Sequence, residues 1–362
     1  MQTVRRVTAV CTALVLLALA AFVVSLMSGS VEMSLAELWR GLRSTDALSH
    51  TLVFELRLPR TLTAFAAGGV LALAGVLMQV LLRNPLADPF IMGVSGGAAV
   101  AALSAMLLGL SGLLIDVSAT LGALGTTLLV FALARGEGGW TAARLLLTGV
   151  VVAAGASAIV SMLLSLGEET KLRGMLFWLM GDLSLSSRPG PLLAVFAAAL
   201  ALAFPFARHL NLLARSELQA RVLGAPVETL RMGMFLVSSI LTAACVTTAG
   251  TIGFVGLVTP HLIRRMLGAD HRLVLPGSAL LGGTLVMIAD VCARTLFAPR
   301  QLAVGALTAE YHPEGFNVGM NCGEVAGQTV DHAHIHLIPR RKPDTPDPRG
   351  GVRGVIPGKM GY

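Results

Sequence analysis

His332, His334 and His336 alternate with Ala333, Ile335 and Leu337, and Gln328 stands four residues upstream of the first. Alternate side chains of a β-strand face one way, so three imidazoles would line one face and three apolar groups the other. Such a row suits a nucleophile oriented by its neighbours, a metal site or a pH-sensitive surface. Residue types alone leave all three open. Elsewhere the chemistry is cationic. Arg57 and Arg60 flank Leu58-Pro59, and Arg294 follows Asp290 by one helical turn. A guanidinium stays charged and can grip a carboxylate with two parallel bonds. Arg57 and Arg60 therefore suit anchoring at a membrane interface, and Arg294 suits an internal pair with Asp290. The third group is the run from Glu217 to Pro226, with Ala220 and Arg221 inside it. It reads as a short helix ended by Gly224-Ala225-Pro226. Between two spans, such a helix gives a cytosolic motor something to push; an interfacial helix without a partner is the other reading.

The elements that would position these groups follow from composition. Of 362 residues, 55% are apolar and 13% charged, and the mean hydropathy is +0.77. Globular domains carry about 25% charged residues, so a water-soluble enzyme and a disordered chain are both excluded. The net charge of +7 is dispersed and aromatics are 5%, which fits the flanks of membrane helices and not a nucleic-acid groove. The four cysteines are isolated, so no disulfide framework or thiolate site is expected, and no metal ligand is assigned.

A spanning helix needs about 20 mostly apolar residues. Nine stretches qualify: 8–28, 60–82, 91–110, 113–134, 143–166, 189–207, 232–250, a short 252–267, and 274–296. The first, led by Arg5 and Arg6, could also be a secretory signal. With the N-terminus inside, the cytoplasmic segments hold the larger share of the basic residues, as expected for this orientation. Gly93, Gly97, Ala101 and Ala105 recur every fourth residue, as do Gly68 and Ala72, a pattern that lets helices approach closely in lipid.

Several long runs together resemble the FecCD-type permeases, the membrane subunits of ABC importers for cobalamin, haem and iron–siderophores. They are RLPR at Arg57–Arg60, LAGVLMQVLLRNPLADPFIMGVSGGA at Leu73–Ala98, and ELQARVLGAP at Glu217–Pro226. GTIGFVGLVTPHLIRRMLGADHR at Gly250–Arg272 and ADVCART at Ala289–Thr295 complete the set. The resemblance covers residues 1–308. It implies a multi-pass subunit of a bacterial inner (cytoplasmic) membrane that pairs with a second permease subunit, as a homo- or heterodimer. Glu217, Ala220, Arg221, Gly224, Ala225 and Pro226 would form the loop that docks on a separate ABC ATPase subunit. Arg57, Arg60 and Arg294 would face acidic residues of a periplasmic or lipoprotein substrate-binding protein. Transport would proceed by alternating access. The chain has no GxxxxGK[ST] loop, so ATP would be used by the partner, and this chain would need no cofactor, no nucleic acid and only lipid around it.

The chain changes character after residue 308. Residues 309–362 carry six basic and six acidic residues and four of the eight histidines, about twice the charge density of the part before. Where the family's tenth span should continue, the chain reads Glu310-Tyr311-His312-Pro313-Glu314, so that span is expected to be missing. The HxHxHxxPR run resembles the histidine-triad (HIT) family of nucleotide hydrolases and transferases. That resemblance implies His334 as nucleophile, with His332, His336 and Gln328 orienting it or meeting phosphate. The segment is about half of such a domain. The expected architecture is thus an all-α polytopic membrane protein with about nine of the family's ten spans, followed by a short, truncated α+β HIT-like fragment. A membrane-tethered nucleotide hydrolase or transferase is the alternative function.

Overall fold

The computed structural model describes residues 2–295 apart from 30–32, 44–46, 111, 136–140, 182 and 184–187, together with the backbone of 315–320 and 335–340. The chain divides into two compact units, Met1–Thr308 and Ala309–Tyr362.

The described residues of the first unit form helices α1 (Gln2–Met27), α2 (Leu35–Leu42), α3 (Ala47–Thr51), α4 (Leu58–Leu82), α5 (Val94–Leu107), α6 (Gly112–Leu133) and α7 (Ala142–Leu166). Then come α8 (Glu169–Met180), α9 (Gly190–Ala203), α10 (Ala207–Arg215), α11 (Glu217–Val222), α12 (Val227–Ala249), α13 (Val255–Leu267) and α14 (His271–Thr295). Seven helical stretches among the described residues are long and apolar enough to cross a membrane: Arg5–Met27, Leu48–Leu82, Gly112–Leu133, Ala143–Leu166, Gly190–Arg215, Val227–Ala249 and His271–Thr295.

Of the nine expected spans, 91–110 is shorter than expected, and 252–267 is short as expected. The stretch 91–110 yields the 14-residue α5 and 252–267 the 13-residue α13. At 1.5 Å per residue each is about 20 Å long, short of the ~30 Å hydrocarbon layer. The cause is backbone geometry that hydropathy does not report. Pro89 starts a separate 3₁₀ turn that ends at Gly93, in the left-handed region at φ 71°; before α13, Phe254 is also left-handed at φ 68°. Each irregular stretch consumes residues a full span would need.

A helix that is apolar on all sides belongs inside a bundle, and α4 is one: 94% of its most apolar window is buried, against 17% for the corresponding windows of α1 and α7. The latter leave Leu16, Leu19, Leu147 and Val151 exposed, as lipid-facing positions should be. Glycines set how closely α4 is approached. A Cβ on Gly68 would lie 2.1 Å from the Gly282 carbonyl oxygen of α14, and one on Gly75 would lie 1.9 Å from the Gly256 oxygen of α13. No other residue fits at such crossings. The stripe on α5 acts likewise, with Gly97 packed on Gly122 of α6.

In the second unit, β1 (Gly315–Met320) pairs antiparallel with β2 (Ile335–Arg340), with Gly319 opposite His336. The strand pair is all that is described of the α+β fragment. His336 lies in β2, whereas His332, His334 and Gln328 lie outside the described residues, as does the stretch 296–314 on which the expected loss of a tenth span falls.

Candidate functional site

Two polar clusters occupy opposite ends of the first unit, joined by α4 and α14. Each of these helices has 25 residues and is therefore about 37 Å long.

At the end expected to face outward, Arg60 in the first turn of α4 grips Asp290 of α14. Its Nε donates to both carboxylate oxygens, at 2.9 and 3.2 Å, and its Nη2 makes an ion-pair contact of 2.8 Å to Oδ1. Arg294 holds the other side of the same carboxylate, Nε to Oδ2 at 3.0 Å. Its Nη1 donates to the Ser28 carbonyl and its Nη2 to the carbonyl and hydroxyl of Ser25. Arg57 donates to the carbonyls of Leu26 and Met27 at 2.9 and 2.8 Å. The last carbonyls of a helix lack partners within it, and cations near a helix C-terminus are favoured by its dipole. Arg57 and Arg294 therefore close the end of α1, while Arg60 ties α4 to α14. Asp290 is fully buried and the three arginines are 4–8% exposed. Arg57, Arg60 and Arg294, expected from the resemblance to face a binding protein, are here buried and bonded to partners within the bundle; the pair of Arg294 with Asp290 forms as its spacing allowed.

At the cytoplasmic end, Ser216 caps α11 by accepting from the Gln219 N–H. The helix closes as its sequence suggests. Gly224, left-handed at φ 76°, donates to the Arg221 carbonyl, and Ala225 donates to the Ala220 carbonyl at 2.9 Å, the double bond of a Schellman ending. Pro226 then bars further helix. Ala220 is fully buried against the bundle, while Leu218, Val222 and Leu223 are 65–79% exposed. Glu217 accepts from Arg221 of its own helix, bonds Arg231 of α12, and lies 3.6 Å from the Arg83 guanidinium at the end of α4. Partial burial pushes the Glu217 carboxyl up, but the bonds and charge of Arg221 and Arg231 outweigh it and hold the group below its ordinary range. The Arg221 guanidinium is held above its ordinary value by Glu217 and Glu228.

Two further contacts at this end had no signal in the sequence. Pro260 cannot donate to the Gly256 carbonyl one turn earlier; buried Gln79 of α4 does so instead, its Nε2 3.3 Å from Gly256 O and 3.2 Å from Leu257 O. The Gln79 oxygen accepts from Arg264. In addition, Asn211 of α10 bonds Asp270 and His271 at the start of α14.

A bundle with a buried central helix, lipid-facing outer helices and a short exposed cytoplasmic helix is the build of a transport permease. The model of the FecCD transport family matches residues 16–310. The chain is 40% identical over 289 residues to the hemin transport system permease protein HmuU of Yersinia pestis, covering 78% of this chain and 86% of that one. It is 37% identical over 261 residues to the vitamin B12 import system permease protein BtuC of Shigella sonnei, covering 71% and 79%. A solved structure described as an inward-facing conformation of a metal-chelate type ABC transporter matches with a TM-score of 0.74 at 33% identity, over 82% of this chain and 94% of that one. This chain belongs to the FecCD transport family. It is a multi-pass permease subunit of an ABC importer in the bacterial inner membrane, and it works with an ATPase, a substrate-binding protein and a second permease subunit.

Proposed function

We propose that this permease admits a metal chelate of the haem, iron–siderophore or cobalamin kind, by alternating access driven by ATP hydrolysis on the partner subunit. The relatives named above transport hemin and vitamin B12, and those ligands share a large planar metal complex. The observation that carries the coupling part of this reading is α11. Its buried Ala220 and the ion pairs of Glu217 hold it in place, while Leu218, Val222 and Leu223 present an apolar knob at the cytoplasmic end. Exposed apolar side chains grouped on one short element mark a protein contact, and the ATPase is the partner on that side. At the other end, Arg57, Arg60 and Arg294 are buried and bonded inside the bundle, so to meet acidic residues of the binding protein they would have to leave Asp290 and the end of α1.

The test is reconstitution with the ATPase and binding protein in liposomes. ATP-dependent accumulation of one of haem, an iron–siderophore or cobalamin identifies the cargo. If none accumulates while the assembled complex hydrolyses ATP, the substrate reading fails.

For residues 309–362 we retain the HIT-like segment as a proposal that rests on the sequence alone. The family match stops at residue 310. If nucleotide hydrolysis by the purified chain is absent, or unchanged by His334→Ala, the hydrolase reading is excluded.

A further inference from the structure

Asn211 lies on α10, the helix that runs into the docking helix α11 with Ser216 alone between them. Its amide Nδ2 donates to Asp270 Oδ1 at 2.8 Å. A carboxylate only accepts, so this bond turns the amide oxygen toward His271. There Oδ1 accepts from the His271 backbone N–H at 2.8 Å and meets the ring Nδ1 at 2.7 Å. An amide oxygen cannot donate, so Nδ1 carries the ring proton. Three of the four bonds an Asn side chain can make are thus spent on two consecutive residues at the start of α14. His271 is 1% exposed, and its Nε2 makes no bond among the described residues; Asn211 is the polar tie that orients this ring. The Asp270 carboxyl is held below its ordinary range by the Asn211 amide and the Arg272 N–H.

The position of the clamp matters more than its strength. α14 carries Asp290 near its other end, where Arg60 of α4 is bound to it. Midway, the two helices touch backbone to backbone at Gly68 and Gly282. At the cytoplasmic end α4 meets the docking helix through Arg83 and Glu217, 3.6 Å apart, with the Arg83 side chain 44% exposed. α4 and α14 therefore form a strut joined at its outer end, its middle and, through α10–α11, its inner end. Of the two inner joints, the exposed ion pair is the weak one, because water and salt compete for it. The Asn211 joint is uncharged on one side; its bond to Asp270 is exposed, but its two short bonds to the buried His271 are partly shielded. It is the joint that can transmit a displacement.

We propose that Asn211 is a positioning residue for coupled transport. It fastens the docking element to α14, so that movement of α11 by the ATPase moves the α4–α14 strut and the arginine cluster at its far end. The inference rests on the reading of α11 as the ATPase contact.

The experiment uses the complete importer with its ATPase and binding protein in liposomes, and reads substrate transported per ATP hydrolysed. Asn211→Ala is expected to lower that ratio by about fivefold or more, with the ATPase still co-purifying and still hydrolysing ATP. The paired exchange Asn211→Asp with Asp270→Asn keeps an acceptor facing His271 and one amide–carboxylate bond, and should restore the ratio. Should Asn211→Ala fail to insert, Asn211→Asp alone is compared with the exchange, since it loses only the donor bond and sets two carboxylates together. A ratio unchanged in Asn211→Ala, or transport and hydrolysis falling in parallel without recovery in the exchange, overturns the proposal. Leu218→Asp separates this from the reading beneath it. If that variant leaves the ATPase bound, the docking assignment has failed; if it releases the ATPase while Asn211→Ala keeps the wild-type ratio, only the present inference has.

Discussion

Asp290 and Glu217 do the same thing at opposite ends of the bundle. Each carboxylate gathers arginines from its own helix and from distant ones: Arg294 and Arg60 around Asp290, Arg221, Arg231 and Arg83 around Glu217. They differ in surroundings. Asp290 has no exposure and its arginine partners have side chains 10% exposed or less, whereas the Glu217 side chain is 25% exposed and its partners Arg221, Arg83 and Arg231 are 50%, 44% and 15% exposed. The same chemistry thus yields a fixed joint at one end and an adjustable one at the other. An ion pair taken out of water cannot lose one member cheaply, because the remaining charge is stranded. An exposed pair can, because water replaces the lost partner. A transporter that must hold its helices together yet yield to a cytosolic motor has use for both.

The largest effect should come from Asp290→Ala. It leaves two guanidiniums buried without their shared carboxylate, and such losses cost about 3–5 kcal/mol. Denaturant or SDS unfolding of the purified protein, followed by far-ultraviolet circular dichroism, would measure it. A cost below about 1 kcal/mol, the size of an exposed pair, would mean that water reaches Arg60 and Arg294, and the contrast between the two ends would collapse.

How much of this could be read beforehand depends on separation along the chain. Arg294 and Asp290 are four residues apart on one helix, so their pairing was open to inspection. Arg60 and Asp290 are 230 residues apart, and no spacing rule connects them. The limits of α11 were legible because Gly224-Ala225-Pro226 encode its ending chemically. The shortness of α13 was legible from its 16-residue stretch, but that of α5 was not, because Pro89–Gly93 is as apolar as the helix it precedes, and hydropathy counts side chains without seeing backbone angles. Asn211 escaped notice for a third reason: a single polar residue on an amphipathic helix resembles any solvated position until its partners are known.

Gln79 provides an intermediate case, a buried polar group without charge. Gln79→Leu leaves the Gly256 carbonyl, already denied a helical partner by Pro260, without its donor, and removes the acceptor of Arg264. Unsatisfied buried groups cost about 1–3 kcal/mol, so the loss should fall between those of Asp290 and Glu217. The paired variant Gln79→Leu with Pro260→Ala restores an N–H to that carbonyl and should regain part of the loss. Strict additivity of the two substitutions would show that Gln79 acts through something other than the carbonyl freed by Pro260.

The smallest effect on stability belongs to Glu217→Gln, below about 1 kcal/mol, and pH and salt give the sharper probe of the same joint. The folded Glu217 carboxyl titrates below its ordinary value of 4.5. Its ion pairs are therefore fully formed above that value and are lost as pH falls through the lowered one. A spin label at Val222, which is 79% exposed, should report constant mobility from pH 7 to about pH 5 and a rise only in more acid solution. At neutral pH, 1 M salt should produce a partial rise, since screening at that strength acts within about 3 Å. Glu217→Gln should show the mobile spectrum throughout. If the wild type loosens in salt but the variant is no looser than it at low salt, Arg83 and Arg231 are held by other groups, and the inner end is fastened by Asn211 without help from Glu217.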